Sequence, residues 1–438
     1  MMPLLKKLGK LMSVRLLAIG LTFVQTIVMT RVFGSEVFGL LSFALSISAF
    51  AILILSAGLD QILMRDIARF GASIAPRTGR WTAIWRLVRY LVTPVTLIVS
   101  AGGALLMLTT DIGGPYQITL LGSFIILPAF LVRKYAEGIS LGTKKVVRSI
   151  FGSQIVYPVL MILGGGVIWL GAVETSAAAI TYTYVFAGLG SMMASLLLIR
   201  GALADMRRTS SDTSVEDGAS PGTRAILMSG IHFSLVSLGF VLGQHIDVLL
   251  TGVLSGPGDV TLVRIASRVA EMAGLMRAII MLQFKPLLAE AHGKSDTALL
   301  QAHVKSMVKM FVITGIPITV TLWIFAEQVM GVFGPEFVEG AWAMRIYVLG
   351  VLVTLILGPG DATLSFSAQE GVASRILMGS IAIQFVLDLV LIPNFGVMGC
   401  AYANLMAMCY LGLASRHMVI KKVGVDPSIF SVISWSRR

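Results

Sequence analysis

Three charged side chains stand where the sequence is otherwise too apolar to leave them idle. Arg264, Arg268 and Glu271 lie in the apolar run 258–284. At 100° per residue their directions agree within about 60°, so they share one helix face. Arg268 and Glu271 fall about 15 and 20 Å along that helix from its start. A charge at such depth costs about 2.5–3.5 kcal/mol on insertion scales, and it must face a polar cavity or a partner. Two arginines against one glutamate leave positive charge over, and the planar guanidinium fork suits a phosphate-type anion. The competing reading is an Arg268–Glu271 pair that ties helices together.

A second group lies in the run 226–254, where Gln244, His245 and Asp247 interrupt the apolar pattern. Such a pair could take up a proton, or sodium through Asp247 and backbone carbonyls. Residues two apart point in different directions on a helix, which favours a structural role for at least one of them. Asp388 is a further acid within an apolar run and has no obvious partner in the sequence. Arg31 ends the first run, where it could guide an anion or mark an interface, and Arg345 is similar. Arg277 lies about 220° round the helix from Arg264 and reads as a snorkelling cation.

The elements that carry these groups follow from composition. The 438 residues are 56% hydrophobic and 13% charged, with mean hydropathy +0.89. A soluble domain carries roughly 25% charged residues. This chain instead breaks into apolar runs of about 20 residues, the length that crosses a bilayer. We count twelve such runs, an all-α polytopic membrane protein. The net charge of +12 does not imply nucleic acid, because Lys and Arg gather in alternate loops. All but Arg31, Arg264, Arg268, Arg277 and Arg345 fall on the side of the N-terminus. By the positive-inside rule both termini are then cytoplasmic. The start of the chain reads as a first transmembrane helix rather than a cleavable signal. Cys400 and Cys409 lie about 180° apart on one helix and cannot pair.

The polar stretch 201–224 divides the chain into two six-helix bundles, 1–200 and 225–421, with a cytoplasmic tail at 422–438. The halves echo each other at an offset of about 223 residues: Ser35-Glu36-Val37 matches Gly258-Asp259-Val260, and Leu170-Gly171-Ala172-Val173 matches Phe395-Gly396-Val397-Met398. Two repeats of six spans share one orientation, a common transporter plan. Pro94, Pro128, Pro158 and Pro317 interrupt spans, as does Gly358-Pro359-Gly360, and they suit helices that bend. No metal-ligand cluster, nucleotide loop or nucleophile constellation is present, and the sequence calls for no cofactor.

Four segments carry a family resemblance: Arg31-Val32-Phe33-Gly34-Ser35-Glu36-Val37-Phe38-Gly39, Asp247-Val248-Leu249-Leu250-Thr251-Gly252, Val332-Phe333-Gly334-Pro335-Glu336-Phe337 and Leu391-Ile392-Pro393-Asn394-Phe395-Gly396-Val397-Met398-Gly399. Their order and spacing resemble the bacterial polysaccharide-precursor flippases of the multidrug/oligosaccharidyl-lipid/polysaccharide exporter superfamily. The resemblance implies two six-helix bundles around a central cavity in the inner membrane. It also implies an oligosaccharide on an undecaprenyl-diphosphate carrier as substrate, for O-antigen or exopolysaccharide, and no enzymatic activity. Coupling by H+ or Na+ is expected at Asp247 and His245, and diphosphate binding at Arg264, Arg268, Glu271 and Arg31. A polymerase and a chain-length regulator are the implied protein partners. Asp388 departs from the pattern, standing where such sequences more often carry an uncharged polar residue. The rival readings are a multidrug exporter, which would favour acidic or apolar cavity walls, and a membrane polymerase or ligase, which would carry a long outer loop.

Overall fold

A computed structural model of the chain describes residues 2–70, 79–111, 114–143, 145–172, 174–208, 222–294 and 296–433. Among these the fold is helical throughout, without strands. In lipid the backbone has no water to bond, and a helix satisfies it internally. The helices are α1 (Met2–Leu55), α2 (Leu59–Phe70), α3 (Gly79–Thr109), α4 (Gln117–Gly142), α5 (Val146–Gly171), α6 (Ala177–Arg208) and α7 (Thr223–Leu254). They continue with α8 (Pro257–Gly293), α9 (Thr297–Ile324), α10 (Ala326–Gly331), α11 (Ala341–Leu357), α12 (Gly360–Ser365), α13 (Glu370–Val423) and α14 (Phe430–Ile433).

Among the described residues eight helices are long and apolar enough to cross a membrane, and nine if the bent α7 counts as one span. Two of the eight hold more than one crossing's length. α1 and α13 each run 54 residues, roughly 80 Å at 1.5 Å per residue, against a hydrocarbon core of about 30 Å. Each breaks at a glycine with positive φ, Gly34 (75°) and Gly396 (52°), a conformation that costs a residue with a Cβ. α8 carries Asp259, Arg264, Arg268 and Glu271 in its first half.

The repeat read from sequence has a backbone counterpart. Positive-φ glycines pair as Gly34 with Gly256, Gly114 with Gly334 and Gly171 with Gly396. Each pair is separated by about 223 residues. Prolines repeat the pattern. A π-helical turn at Val88–Val92 precedes Pro94, and one at Phe311–Gly315 precedes Pro317. A third, Phe151–Ile155, precedes Pro158. Proline has no N–H and its ring clashes with the carbonyl four residues back. The wider turn moves that carbonyl aside, so the break costs less.

The chain forms two compact units, residues 1–241 and 242–438. In the first, Met29, Leu41, Ile126 and Tyr184 close one core, and Leu59, Ile62, Ile84 and Leu131 a second. Here α2 lies hard against α4. A Cβ at Gly138 would sit 2.6 Å from the Asp60 carbonyl, and one at Gly142 would sit 2.8 Å from Ile67. In the second unit Leu288, Leu300, Phe311, Leu355 and Val419 form the core. A C-terminal strap seals one end of it. The Asp426 backbone exchanges two hydrogen bonds with the Gln301 side chain (2.8 and 3.1 Å), and its carboxylate accepts from Arg416 at 2.9 and 3.1 Å. Outer surfaces are apolar, with Ile98, Leu108, Trp169, Ile313 and Val386 all exposed, as expected of helices solvated by lipid.

The polar linker expected at 201–224 falls largely at 209–221, outside the described residues. The last five residues of the tail, 434–438, lie outside them as well.

Candidate functional site

The second unit buries an acidic pair. Asp247 on α7 accepts a hydrogen bond from the Tyr347 hydroxyl on α11 at 2.7 Å and another from the Gln384 amide on α13. Asp388 follows Gln384 by one helical turn and therefore shares its face. It is 0% exposed, and among the described residues no nitrogen or oxygen donor reaches its carboxylate, only the Cys400 thiol. Cys400, beyond the Gly396 break, brings its Sγ to 3.1 Å from the Tyr347 hydroxyl. One ligand atom each of Asp247, Asp388 and Cys400 lies within 4.8 Å of the others. One turn along α7 from Asp247, the Thr251 hydroxyl is also buried, with the Cys400 thiol as its neighbour.

Electrostatics sets what this cluster can do. Two carboxylates this close cannot both stay ionised without a cation or a shared proton. Buried charge without a partner costs several kcal/mol. The cluster therefore offers a seat for a proton or a cation, with Thr251 supplying a further oxygen. Sequence reasoning had Asp247 but not its surroundings. Gln384 and Asp388, four apart in an apolar helix, were the available signal. Tyr347, Thr251 and Cys400 join through tertiary packing, which no spacing reveals.

His245 takes a different direction from Asp247. It lies half-buried, within electrostatic reach of Arg264 and Arg268, so the structure does not bring the two expected coupling residues together. Arg264 is buried at 8% exposure, and among the described residues no carboxylate pairs with it. Arg268 donates to Glu271 at 2.7 Å, an i,i+3 pair within α8. That pair lies along one helix rather than across two. Arg277 leaves its expected snorkelling role, because its Nη2 lies 2.7 Å from the Asp361 carboxylate on α12. Arg345 reaches Glu327 at 3.0 Å and lies 4.7 Å from the Trp342 ring centre. Arg31 is exposed in the first unit, three residues before the Gly34 break. Arg133, grouped by sequence with loop cations, lies inside α4. Its guanidinium is 4.4 Å from the Phe130 ring centre and donates to the Ser191 hydroxyl at 3.3 Å.

The arrangement is thus a cation seat on one side of α7 and a surplus of arginine charge on α8. The sequence profile of the family described as "Polysaccharide biosynthesis protein" matches residues 4–292, about two thirds of the chain. The chain belongs to that family. The matched stretch carries Asp247, Arg264 and Arg268, whereas Asp388 and Cys400 lie beyond it. Among curated proteins, the "probable low-salt glycan biosynthesis flippase Agl15" of Haloferax volcanii is 21% identical over 227 residues, covering 51% of this family member and 47% of the relative. The chain therefore spans about half the length of the curated relative it matches. Among solved structures, an inward-facing multidrug resistance MATE transporter of the MOP superfamily superposes with TM-score 0.64 at 14% identity, covering 91% of this chain and 95% of that one. The lipid II flippase MurJ in an inward closed conformation gives TM-score 0.63 at 13% identity, covering 97% and 90%. At such identities the likeness shows the fold, which is that of the MOP superfamily transporters.

Proposed function

We propose that the chain is a flippase rather than an enzyme, moving undecaprenyl-diphosphate-linked oligosaccharide from the inner to the outer leaflet by alternating access. In this reading α1 and α13 each cross the bilayer twice and α8 crosses once. The helices then make twelve crossings, six in each repeat, with both termini cytoplasmic. Arg264 carries the reading. A buried guanidinium with which no carboxylate pairs among the described residues, with Arg268 one turn away, makes an anion site in the first third of α8. Glu271 holds Arg268 in place, and Arg31 receives the phosphates at the rim. An acidic or apolar wall, as a cationic drug would need, is not what α8 offers. The Asp247–Asp388 seat couples the cycle to H+ or Na+, and His245 tunes the arginines rather than the seat.

The test is transbilayer movement of a labelled undecaprenyl-diphosphate oligosaccharide in liposomes, wild type beside Arg264→Ala/Arg268→Ala. Loss of both charges lowers the rate by roughly a hundredfold, the scale of removing buried charge contacts of about 2–5 kcal/mol. Arg268→Lys retains part of it. Unchanged movement in the double variant, with protein of normal fold, would remove the anion site from α8.

A further inference from the structure

We infer that the buried seat of the second unit binds a thiophilic divalent cation, Zn2+ or Cd2+, through Asp247, Asp388 and Cys400, and that such an ion arrests the transport cycle. Binding rests on the geometry alone, whereas the arrest rests on the coupling role proposed for the same seat.

The fold builds this ligand set from three helix segments. On a straight helix Asp388 and Cys400 would stand about 18 Å apart and about 120° round from each other. Beyond the Gly396 break, Gly399 lies so close to the first arm of α13 that a Cβ there would sit 2.3 Å from the Leu391 carbonyl. That approach brings Cys400 to Asp388, and α7 supplies Asp247. All three side chains are buried, and one ligand atom of each lies within 4.8 Å of the other two. Around a tetrahedral Zn2+, with bonds of about 2.0 Å to oxygen and 2.3 Å to sulfur, ligand atoms stand about 3.3–3.5 Å apart. The separations therefore shorten by at most about 1.5 Å on binding.

The surroundings are those that a metal ion uses. Asp247 is oriented by the Tyr347 hydroxyl at 2.7 Å and by the Gln384 amide, as ligating carboxylates are held from an outer shell. Asp388 has no such donor among the described residues, only the Cys400 thiol. The Thr251 hydroxyl, 0% exposed beside that thiol, supplies a further oxygen.

Sulfur selects the ion. Hard cations take oxygen, whereas Zn2+ accepts thiolate and carboxylate together. Charge agrees with that choice. With one proton shared by the carboxylates and the thiol intact, the three side chains carry one negative charge. A divalent ion that displaces both protons to solvent leaves that charge as it was, so the exchange buries no new charge. While the ion is bound it ties α7 to both arms of α13, and the coupling ion has no seat.

The experiment titrates Co2+, a coloured stand-in for Zn2+, into the purified full chain carrying Cys409→Ser. Thiolate bound to Co2+ gives a near-ultraviolet charge-transfer band, which imidazole and carboxylate ligands do not produce. One equivalent should saturate the band, and Zn2+ should abolish it by displacement. Adding Cys400→Ser removes the band, and Asp388→Asn weakens binding by about a hundredfold or more, beyond the loss of an outer-shell partner. The second variant carries the test where the first fails to fold. No band in folded protein would overturn the site, as would a band of equal affinity in either variant. In liposomes, Zn2+ at ten times its half-saturating concentration occupies about nine seats in ten and lowers movement of the labelled lipid-linked oligosaccharide about tenfold. Each variant is compared with its own metal-free rate, and the inhibition disappears with Cys400→Ser. Movement untouched by saturating Zn2+ would overturn the arrest. No movement in metal-free protein that still gives the band would count against the flippase reading and leave the site standing.

Discussion

Each unit buries an aspartate, Asp60 in the first turn of α2 and Asp247 toward the end of α7, and the two are treated in opposite ways. Asp60 has the Gln61 amide and the Lys134 ammonium by one oxygen (3.0 and 4.0 Å), while its other oxygen is buried without a hydrogen-bond partner among the described residues. Asp247 has a hydroxyl and an amide, and beside it stands Asp388, bare and sealed from solvent. Among the described residues one cation, Lys134, lies by the first acid, and none pairs with the second. A carboxylate with a tethered ammonium needs no bound ion, so it steadies the resting protein. An acidic pair without a counter-ion is stable only when something binds, so its occupant decides which conformations are populated. On the proposed function, the difference separates an acid that steadies the fold from a pair whose occupant drives the transport cycle.

The sharpest way to break that contrast is Asp388→Leu. Removing a bare buried acid relieves a penalty of about 1–3 kcal/mol, so the variant should unfold at higher temperature while gradient-driven transport in liposomes collapses to background. If its stability falls, Asp388 is held by contacts that the contrast denies it. Asp60→Leu should do the reverse, lowering the unfolding temperature because Lys134 loses its partner, with Lys134→Met restoring part of the loss. A double-mutant cycle on melting temperature reads this coupling directly. A third, smaller effect belongs to the packing of α2 on α4. Gly138→Ala puts a Cβ 2.6 Å from the Asp60 carbonyl and should cost about 1–3 kcal/mol by overpacking, readable by the same melting assay.

The smallest effect lies in the strap that closes the second unit. Burial alone would raise the Asp426 carboxyl, but hydrogen bonds from Arg416 and Ser428 outweigh it and hold the group below the usual carboxylate range. A depressed acid contributes stability above its unfolded value, about 3.9, and that contribution fades as pH falls through the lower folded value. Wild type should therefore melt above Asp426→Asn at pH 6, and the gap should close on acidification below about pH 4. A gap that widens in acid would place Asp426 with the bare acids rather than the matched ones.

Much of the fold was legible because lipid simplifies the rules. Apolar runs, alternating basic loops and an offset repeat followed from composition and spacing, and the paired glycines and prolines bear the repeat out in backbone conformation. The face shared by Arg264, Arg268 and Glu271 was legible too, since helical angles set it. What escaped was anything made by contact between helices. Asp388 looked partnerless because its companions, Asp247 and Cys400, come from distant helix segments. Arg277 looked like a snorkelling cation because Asp361 lies 84 positions away. Arg133 looked like a loop residue because nothing in sequence shows the Phe130 and Tyr157 rings closing over it.

The π-helical turns have a consequence for insertions and deletions. Each such turn stores one residue more than α-helical spacing requires. Deleting a residue elsewhere in α3 or α9 would rotate everything beyond it by about 100°, turning lipid-facing side chains inward. A deletion within Val88–Val92 or Phe311–Gly315 instead removes the surplus and leaves the far half of the helix on its present faces. These two segments are therefore the places along the third helix of each repeat where the length of the chain can change while its register does not.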